Sequence, residues 1–376
     1  MIGKYITQST GFKSFLPNPF PPRQLEVFDN SLNQKINEAT RIIGKLDGST
    51  LLLPDMDFFI AMYIRKDATN SNQIEGTRAT FIDAIEYEAQ TQSSTGSDDA
   101  DDIFHYIKAI NYGIKRLQEF PLSLRFITEL HEVLMRDARS SHYCDPGNFR
   151  SSQNWIGGTS LNNAEFIPPS PGDLVKALGD LEKFIHASDS YNLVVKAGLI
   201  HAQFETLHPF LDGNGRTGRL LITLFLLHSK LLERPTLYLS AYFKKHKQTY
   251  YDRLNDYHSG KIEKWLDFYL DGVIAVAKEA IETVQQITSL RYEDLLKIQS
   301  LNKTASESAT KVLPFLFSLP IVKISTIQEW TGFSRQGSQN VIDRLIDIGI
   351  LEVKDIEQTY GKSYIYKRYI AIFNKN

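Results

Sequence analysis

A single cysteine, Cys144, stands in 376 residues. That excludes an intrachain disulfide and suits a reducing compartment. An excess of one charge is also missing: 42 Lys and Arg against 44 Asp and Glu leave a formal net charge of −2. The balance argues against a protein that coats nucleic acid globally, though not against a local basic patch. The opening MIGKYITQSTGFKSFLPNPFPP lacks the apolar core of a signal peptide. The apolar run that begins at Leu220 is too short to span a bilayer. A soluble, cytoplasmic protein with no membrane partner is expected. No internal repeat is evident, and neither the zinc-helix pattern HExxH nor GxGxxG spacing occurs around His201, Glu205 and His208, so His201 is read as structural. With 42% hydrophobic residues the chain can bury a sizeable core and should form two or three domains.

What the chain does have is HPFLDGNGRTGR at residues 208–219, a histidine, a carboxylate, small residues and two arginines in one turn between two apolar runs. VVKAGLIHAQF before it and LLITLFLLHSKLL after it read as helices, the second apolar almost all round as in a core. Gly213 and Gly215 let successive N–H groups turn toward one concavity, and the following helix adds the positive end of its dipole. Such a loop collects phosphate oxygens. Arg216 and Arg219, three apart, share a helical face and imply a polyphosphate. Asp212 would repel that ligand unless a cation lay between them, and Mg²⁺ held by one carboxylate and substrate phosphates resolves the conflict. His208 is the nearby side chain whose ordinary pKa suits proton abstraction, which makes it the candidate general base. Each residue also has a bland reading: a structural histidine, turn glycines, a solvated pair of arginines. Those readings do not readily explain all of them in twelve residues. The chemistry alone leaves phosphate-ester hydrolysis open beside transfer.

This run resembles the full HPFx[DE]GNGRxxR signature of Fic proteins, without departure at any defined position. The resemblance implies a mostly helical fold and transfer of AMP from ATP to a target hydroxyl, with Mg²⁺ and release of pyrophosphate. Carried over by position, His208 would deprotonate the acceptor and Asp212 would hold the metal. Gly213, Asn214 and Gly215 would line the anion hole, Arg216 would contact the phosphates, and Arg219 would hold the terminal phosphate. Thr217 and Gly218 of the same run count with the ATP-binding positions. Ser71, Glu75 and Gly76 fit the [ST]xxxE[GN] pattern of the self-inhibited type, in which the glutamate competes with ATP for the second arginine. The other reading of Gly76 is a plain helix C-cap. Tyr250 and Tyr251 match paired aromatics near the adenine.

The remaining pattern gives a mainly α chain with a short hairpin. Helices are expected at about 24–46, ended by Gly48 and Ser49, at 53–66 with Pro54 in the first turn, and at 103–120, 123–136, 173–186 and 193–204. The polar, acidic stretch 90–102 reads as a loop. Residues 146–171 are the least helical; 148–156 and 164–167 should pair, and the resemblance makes this hairpin, about 148–168, a flap on which a target protein docks as an added strand. Gly157 and Gly158 would let backbone approach the nucleotide, with Ile156 and Trp155 as adenine or core contacts. A closing helix at 264–285 and a linker helix at 287–306 lead to short helices at 311–318, 326–332 and 334–348 and strands at 351–355 and 364–373. Three helices and a β-hairpin make a winged helix-turn-helix pattern.

The expected division is therefore 1–100, an N-terminal helical region; 101–285, a catalytic core; and 286–376, a linker and winged helix. Arg335, Gln336, Ser338, Gln339 and Asn340, with Lys362, Lys367 and Arg368 of the wing, could touch DNA, while nearby acids dilute the field. The expected activity is protein adenylylation restrained by Glu75. Two alternatives are carried: AMP removal with Glu75 positioning water, and a DNA-binding regulator that uses the core as a nucleotide sensor. Self-modification and a homodimer are compatible with the sequence.

Overall fold

Apolar residues at helical spacing fill most of the chain, and in the computed structural model they form helices; it describes every residue except 1, 10, 23–27, 52, 54–55, 91–97, 137–143, 189–190, 356, 358–360 and 375–376. The mainly α expectation holds. The chain opens with β1 (Gly3–Thr7) and β2 (Lys13–Pro17), an antiparallel hairpin that the sequence reading did not include. Then come α1 (Asn30–Thr50), α2 (Met56–Ile74), α3 (Phe81–Gln90), α4 (Asp98–Arg116) and α5 (Leu124–Met135). After an irregular segment follow α6 (Pro171–His186), α7 (Leu193–Leu207), α8 (Asn214–His228), α9 (Ser240–Lys245), α10 (Lys247–His258) and α11 (Ile262–Gln299).

Three boundaries differ from expectation, each for a local reason. Asp29 caps α1 by accepting the Leu32 N–H at 2.7 Å, and the helix runs through Gly48 and Ser49 because Leu46 and Thr50, one turn apart, both face the core. The start expected at 24 lies outside the described residues. Helix α2 does not stop at Lys66; it absorbs the polar segment to Ile74, whose Asp67, Thr69, Ser71 and Asn72 are buried. Helix α4 begins at Asp98, inside the stretch read as a loop, because acidic residues suit the positive end of a helix dipole.

Helices α7 and α8, buried almost all round, form the centre, and α11 crosses α7 closely. Trp265 Nε1 donates to the Gly198 carbonyl at 2.9 Å, and a Cβ on Gly198 would lie 2.7 Å from Tyr269 Cδ1. Helix α2 is fixed from two sides. Asp67 accepts the Tyr106 hydroxyl of α4 at 2.6 Å and the Ser240 N–H of α9 at 3.2 Å, while Arg65 forks onto Glu88 of α3 at 2.7 and 2.8 Å. Burial raises the Asp67 carboxyl above its usual range.

Separate closing and linker helices were expected on either side of 285/286; α11 is instead one helix of 38 residues, about 57 Å long. Beyond it lie α12 (Lys303–Ser318), β3 (Ile321–Val322), α13 (Ile324–Thr331), α14 (Arg335–Asp347), β4 (Glu352–Val353), β5 (Tyr364–Ile365) and α15 (Lys367–Phe373), with the strands ordered β3-β5-β4. Residues 364–373 were expected as strand throughout, yet only the first two are. Tyr366, Tyr369, Ile370 and Phe373 recur at helical spacing, and all four are buried. Arg368, expected on the wing surface, is drawn to Asp294 and Glu293 of α11, each at 2.7 Å. Ser338, expected to face outward, is buried on the same face of α14 as Val341, Ile342 and Leu345. Among the described residues no helix is long and apolar enough to cross a membrane.

The Gly198 contact gives a direct test of the central packing. Gly198→Ala should cost roughly 1–3 kcal/mol by wedging α7 from α11. Urea unfolding of variant and parent side by side would read it, and an unchanged midpoint would mean that the two helices separate freely.

Candidate active site

Helix α7 ends where His208 takes a left-handed conformation, φ 45° and ψ 60°, with its N–H on the Phe204 carbonyl at 2.9 Å. The loop then closes on itself. Asn214 accepts the Phe210 N–H through Oδ1 and donates to the Phe210 carbonyl through Nδ2, both at 2.8 Å. Its buried side chain thus fixes the loop's shape from below. Gly213 caps α8 at φ +76°, a conformation other residues rarely adopt.

Side chains that the sequence reading did not single out hold this loop from outside. Arg150, only 4% exposed, donates through Nε to the His208 carbonyl at 2.9 Å and through its terminal nitrogens to the carbonyls of Pro169, Ser152 and Leu207. Burial pulls its pKa down to about 10. Asn154 donates to the carbonyls of His208 and Phe210 at 3.2 and 2.8 Å. His131 of α5 stacks on Phe210 at 3.6 Å, accepts the Gly147 N–H at Nδ1 and so donates from Nε2 to the Asp212 carbonyl at 2.9 Å. The only sequence signal was compositional, since an irregular segment must find donors for its carbonyls. Nothing in the spacing says which ones.

These same contacts explain why the expected hairpin of 148–156 with 164–167 reduces to one bridge, Ile156 with Phe166. Residues 150–154 are held by side chains against the loop, and opposite them Pro168 and Pro169 have no N–H to pair. Gly157 and Gly158 turn the tip at φ +70° and +67°, and Trp155, 40% exposed, belongs to no core. The segment leans on the N-terminal hairpin: the Phe15 N–H donates to the Ile167 carbonyl at 2.9 Å. Phe166 stacks on the buried ring of His258 at 3.9 Å.

His208 sits partly covered beneath this segment, with Nδ1 buried and unpartnered. Burial, then the Arg150 charge, pull its pKa down to about 4, against the opposing pull of Glu75, the Glu205 carbonyl and Asp212. The ring is therefore neutral at pH 7. The position over the first turn of α8 is filled by a carboxylate: a Cβ on Gly215 would lie 2.4 Å from Glu75 Oε1. Glu75 reaches it because α2 ends there, with Gly76 at φ +105° turning the chain away. Arg219 donates to Glu75 Oε1 at 2.7 Å, to the Ser71 hydroxyl at 2.8 Å and to the Ser71 carbonyl at 3.1 Å. Burial would lower Arg219, but Glu75, Tyr250 and Tyr106 outweigh it and keep the guanidinium charged. Ser71, Glu75, Gly76 and Arg219, 144 residues apart at the ion pair, are thus brought together.

The other expected positions lie at varying distances from this pair, Tyr250 and Tyr251 close enough to feel its charges. Arg216 is buried and turned toward Asp212, 3.7 Å away, so the two arginines do not converge here. Thr217 is fully buried, and Gly218 faces α7, where a Cβ would lie 2.3 Å from Glu205 Oε1. Burial pushes the Glu205 carboxyl up to about 8. Tyr250 is a core residue whose hydroxyl donates to His201 Nε2 at 2.9 Å, while His201 Nδ1 donates to the Gly218 carbonyl at 2.8 Å, as suits a structural histidine. Tyr251 stands at the surface, its hydroxyl pushed up to about 12 by burial and by Glu75. Asp212 accepts the Gly213 N–H at 2.6 Å and is half exposed. Among the described residues no three metal-ligating groups cluster. The donor set fits an ion shared between one carboxylate and ligand phosphates, and does not fit a closed all-protein site.

The chain's similarities agree with this architecture. A protein adenylyltransferase Fic of Aedes aegypti is 31% identical over 170 residues, 44% of this chain and 30% of that protein. One of Drosophila willistoni is 29% identical over 229 residues, 55% of this chain and 42% of that protein. The chain spans less than half the length of these curated relatives. Among solved structures, a Fic family protein from Desulfovibrio desulfuricans matches with TM-score 0.57 at 17% identity, over 90% of this chain and 97% of that one. A Fic domain containing signaling protein from Bacteroides thetaiotaomicron matches with TM-score 0.53 at 20% identity, over 67% of this chain and 97% of that one. The Fic/DOC family model matches residues 121–226, and the Fic/DOC family N-terminal model matches 33–115. With both models matched in order and the loop of His208 built as described, this chain belongs to the Fic/DOC family.

Proposed function

We propose that the chain is a protein adenylyltransferase that moves AMP from ATP to a hydroxyl side chain of a target protein, and that Glu75 restrains it. The observation that carries the reading is the pairing of a neutral His208 and an anion site at the start of α8 that already holds a carboxylate. The names of the curated relatives support the same chemistry.

In this reading the acceptor hydroxyl gives its proton to Nε2 of His208, since Nδ1 is buried, as its oxygen forms a bond to the α-phosphorus. The bond from that phosphorus to the bridging oxygen breaks, and pyrophosphate leaves with the electron pair. The backbone N–H of Gly215 and the dipole of α8 receive the phosphate charge. Asp212, together with substrate phosphates, would hold Mg²⁺, which supplies charge neutralisation when bound. Arg219 would take the terminal phosphate, and the acceptor would dock along the segment 148–168, with this chain itself one available target.

Glu75 occupies the place and the partner that the phosphates need. With it in place ATP would bind with its phosphates displaced, so turnover falls more than binding does. A charge-assisted hydrogen bond contributes about 1.5–3 kcal/mol, less here because the Glu75 side chain is 39% exposed. Its release should therefore raise the rate by roughly tenfold.

Label transfer from ATP tests this directly. Label at the α-phosphate should reach protein, most strongly with Glu75→Gly, and vanish in Glu75→Gly/His208→Ala, while γ-label should not transfer. Equal incorporation by Glu75→Gly and parent would remove the brake; no incorporation at all would turn the reading toward AMP removal or a nucleotide-sensing regulator.

The pH profile offers a second test. A general base works when neutral, and a pKa lowered to about 4 keeps His208 neutral above that pH and protonates it below. Removing Glu75 takes away a charge that raises it, so the acid limb of kcat/KM for Glu75→Gly should fall near or below pH 4. A limb near the ordinary histidine value, about 6.5, would show a solvated base.

A further inference from the structure

A cavity of about 640 Å³ lies away from the His208 loop, on the reverse side of α2. Ligand sites commonly have volumes of about 300–1,000 Å³. Lys66, Asn70 and Gln73 line one wall, spaced four and three apart along one face of the helix. Ser71 and Glu75, which hold Arg219, do not line the cavity. One helix therefore separates the cavity from the ion pair with Arg219.

The walls define a chemistry. Lys244, Lys245 and His246, at the end of α9, join Lys66 in facing the space. Against them stands a single lining carboxylate, Glu279, which already holds Lys66 at 2.6 Å. Among the described residues no carboxylate pairs with Lys244 or Lys245; the partner of Lys244 is the neutral Asn70 Oδ1, at 3.4 Å. Burial lowers the Lys244 pKa, as expected for an ammonium without a counter-charge. The rest of the lining mixes the polar Thr69 and Thr80 with the apolar Tyr242 of α9, Val276 of α11, Phe81 of α3 and Phe373 of α15. Cations together with aromatic and aliphatic side chains suit an anion on a flat apolar body.

The cavity's position gives occupancy a consequence. Its walls come from α2, α3, α9, α11 and α15, so a ligand there would tie the reverse face of α2 to elements on every side. The residue after His246 continues the link: Lys247 Nζ donates at 2.5 Å to the Ile74 carbonyl, the last of α2, immediately before Glu75. This cavity exists with Glu75 on Arg219, and a ligand that binds one arrangement better shifts the population toward it.

We propose that this cavity binds a small organic anion with a flat apolar body, and that its occupancy holds α2 in the arrangement that keeps Glu75 on Arg219. The site itself stands on geometry alone; its regulatory effect rests on the proposed role of Glu75.

The test uses anilinonaphthalenesulfonate, a fluorescent flat anion, titrated into the full chain and into two variants, Lys244→Gln/Lys245→Gln and Ala241→Trp. The parent should bind one equivalent saturably. Loss of two solvent-facing cations should weaken this by roughly fivefold or more, and the indole should block it. Thermal melting checks folding, and if Ala241→Trp fails to fold the surface double variant carries the test. Equal affinity in folded variants and parent overturns the site. Pyrophosphate release from ATP reads the coupling: the probe should slow the parent and leave Glu75→Gly unchanged. Equal slowing of both overturns the coupling while leaving the site. If neither protein turns ATP over, the proposed activity fails, and the fluorescence titration still decides the cavity.

Discussion

Arg219 sets the terms for the rest of the molecule. Its side chain is 2% exposed, and a guanidinium removed from water must find an anion and several acceptors or the fold does not hold it. Here Ser71 supplies two acceptors and Glu75 the charge. To deliver them α2 must lie against α8, and to lie there its buried polar residues need partners. Asp67 finds Tyr106 and Ser240, Asn72 finds the Ala68 carbonyl, and Arg65 finds Glu88. The polar stretch that interrupts an amphipathic pattern in the sequence is thus the interface itself.

The second constraint is the shape of the loop from His208 to Gly213. It is fixed by four polar side chains that approach from three directions: Asn214 from within, Arg150 and Asn154 from the irregular segment, His131 from α5. The carbonyl of His208 is held by the Arg150 and Asn154 side chains. Holding the residue by its backbone fixes its place without drawing on the ring.

Much of this was legible in the sequence. The helical fold follows from apolar spacing, and the loop was found because its residue types conflict unless they share a ligand. The contact between Glu75 and Arg219 was reached through the family pattern, since no physical rule links positions 144 apart. What remained hidden was whatever depends on tertiary partners. Arg150 and His131 look ordinary in sequence because their roles lie in carbonyls that other segments present. Tyr250 and Tyr251 are adjacent in sequence but differ in setting, one buried and bonded to His201, the other partly exposed beside Glu75. The strand expected at 364–373 was missed as a helix because aromatic residues favour strands while their spacing here is helical. At 98–102, charge was read as loop where it was the start of α4.

The unbroken α11 has a consequence of phase. A flexible linker forgives changes in length, but each residue added to a helix turns everything beyond it by about 100° and advances it by about 1.5 Å. Arg65 of α2 donates to the Ser318 carbonyl at the end of α12, at 2.9 Å, and Lys354, just after β4, pairs with Glu86 of α3. One residue inserted between 285 and 293 would swing both contacts out of register, whereas a multiple of whole turns would restore direction and lose only distance. The joint between the two parts of this chain behaves as a splined shaft, which transmits angle, and its length is held in register as strictly as a reading frame.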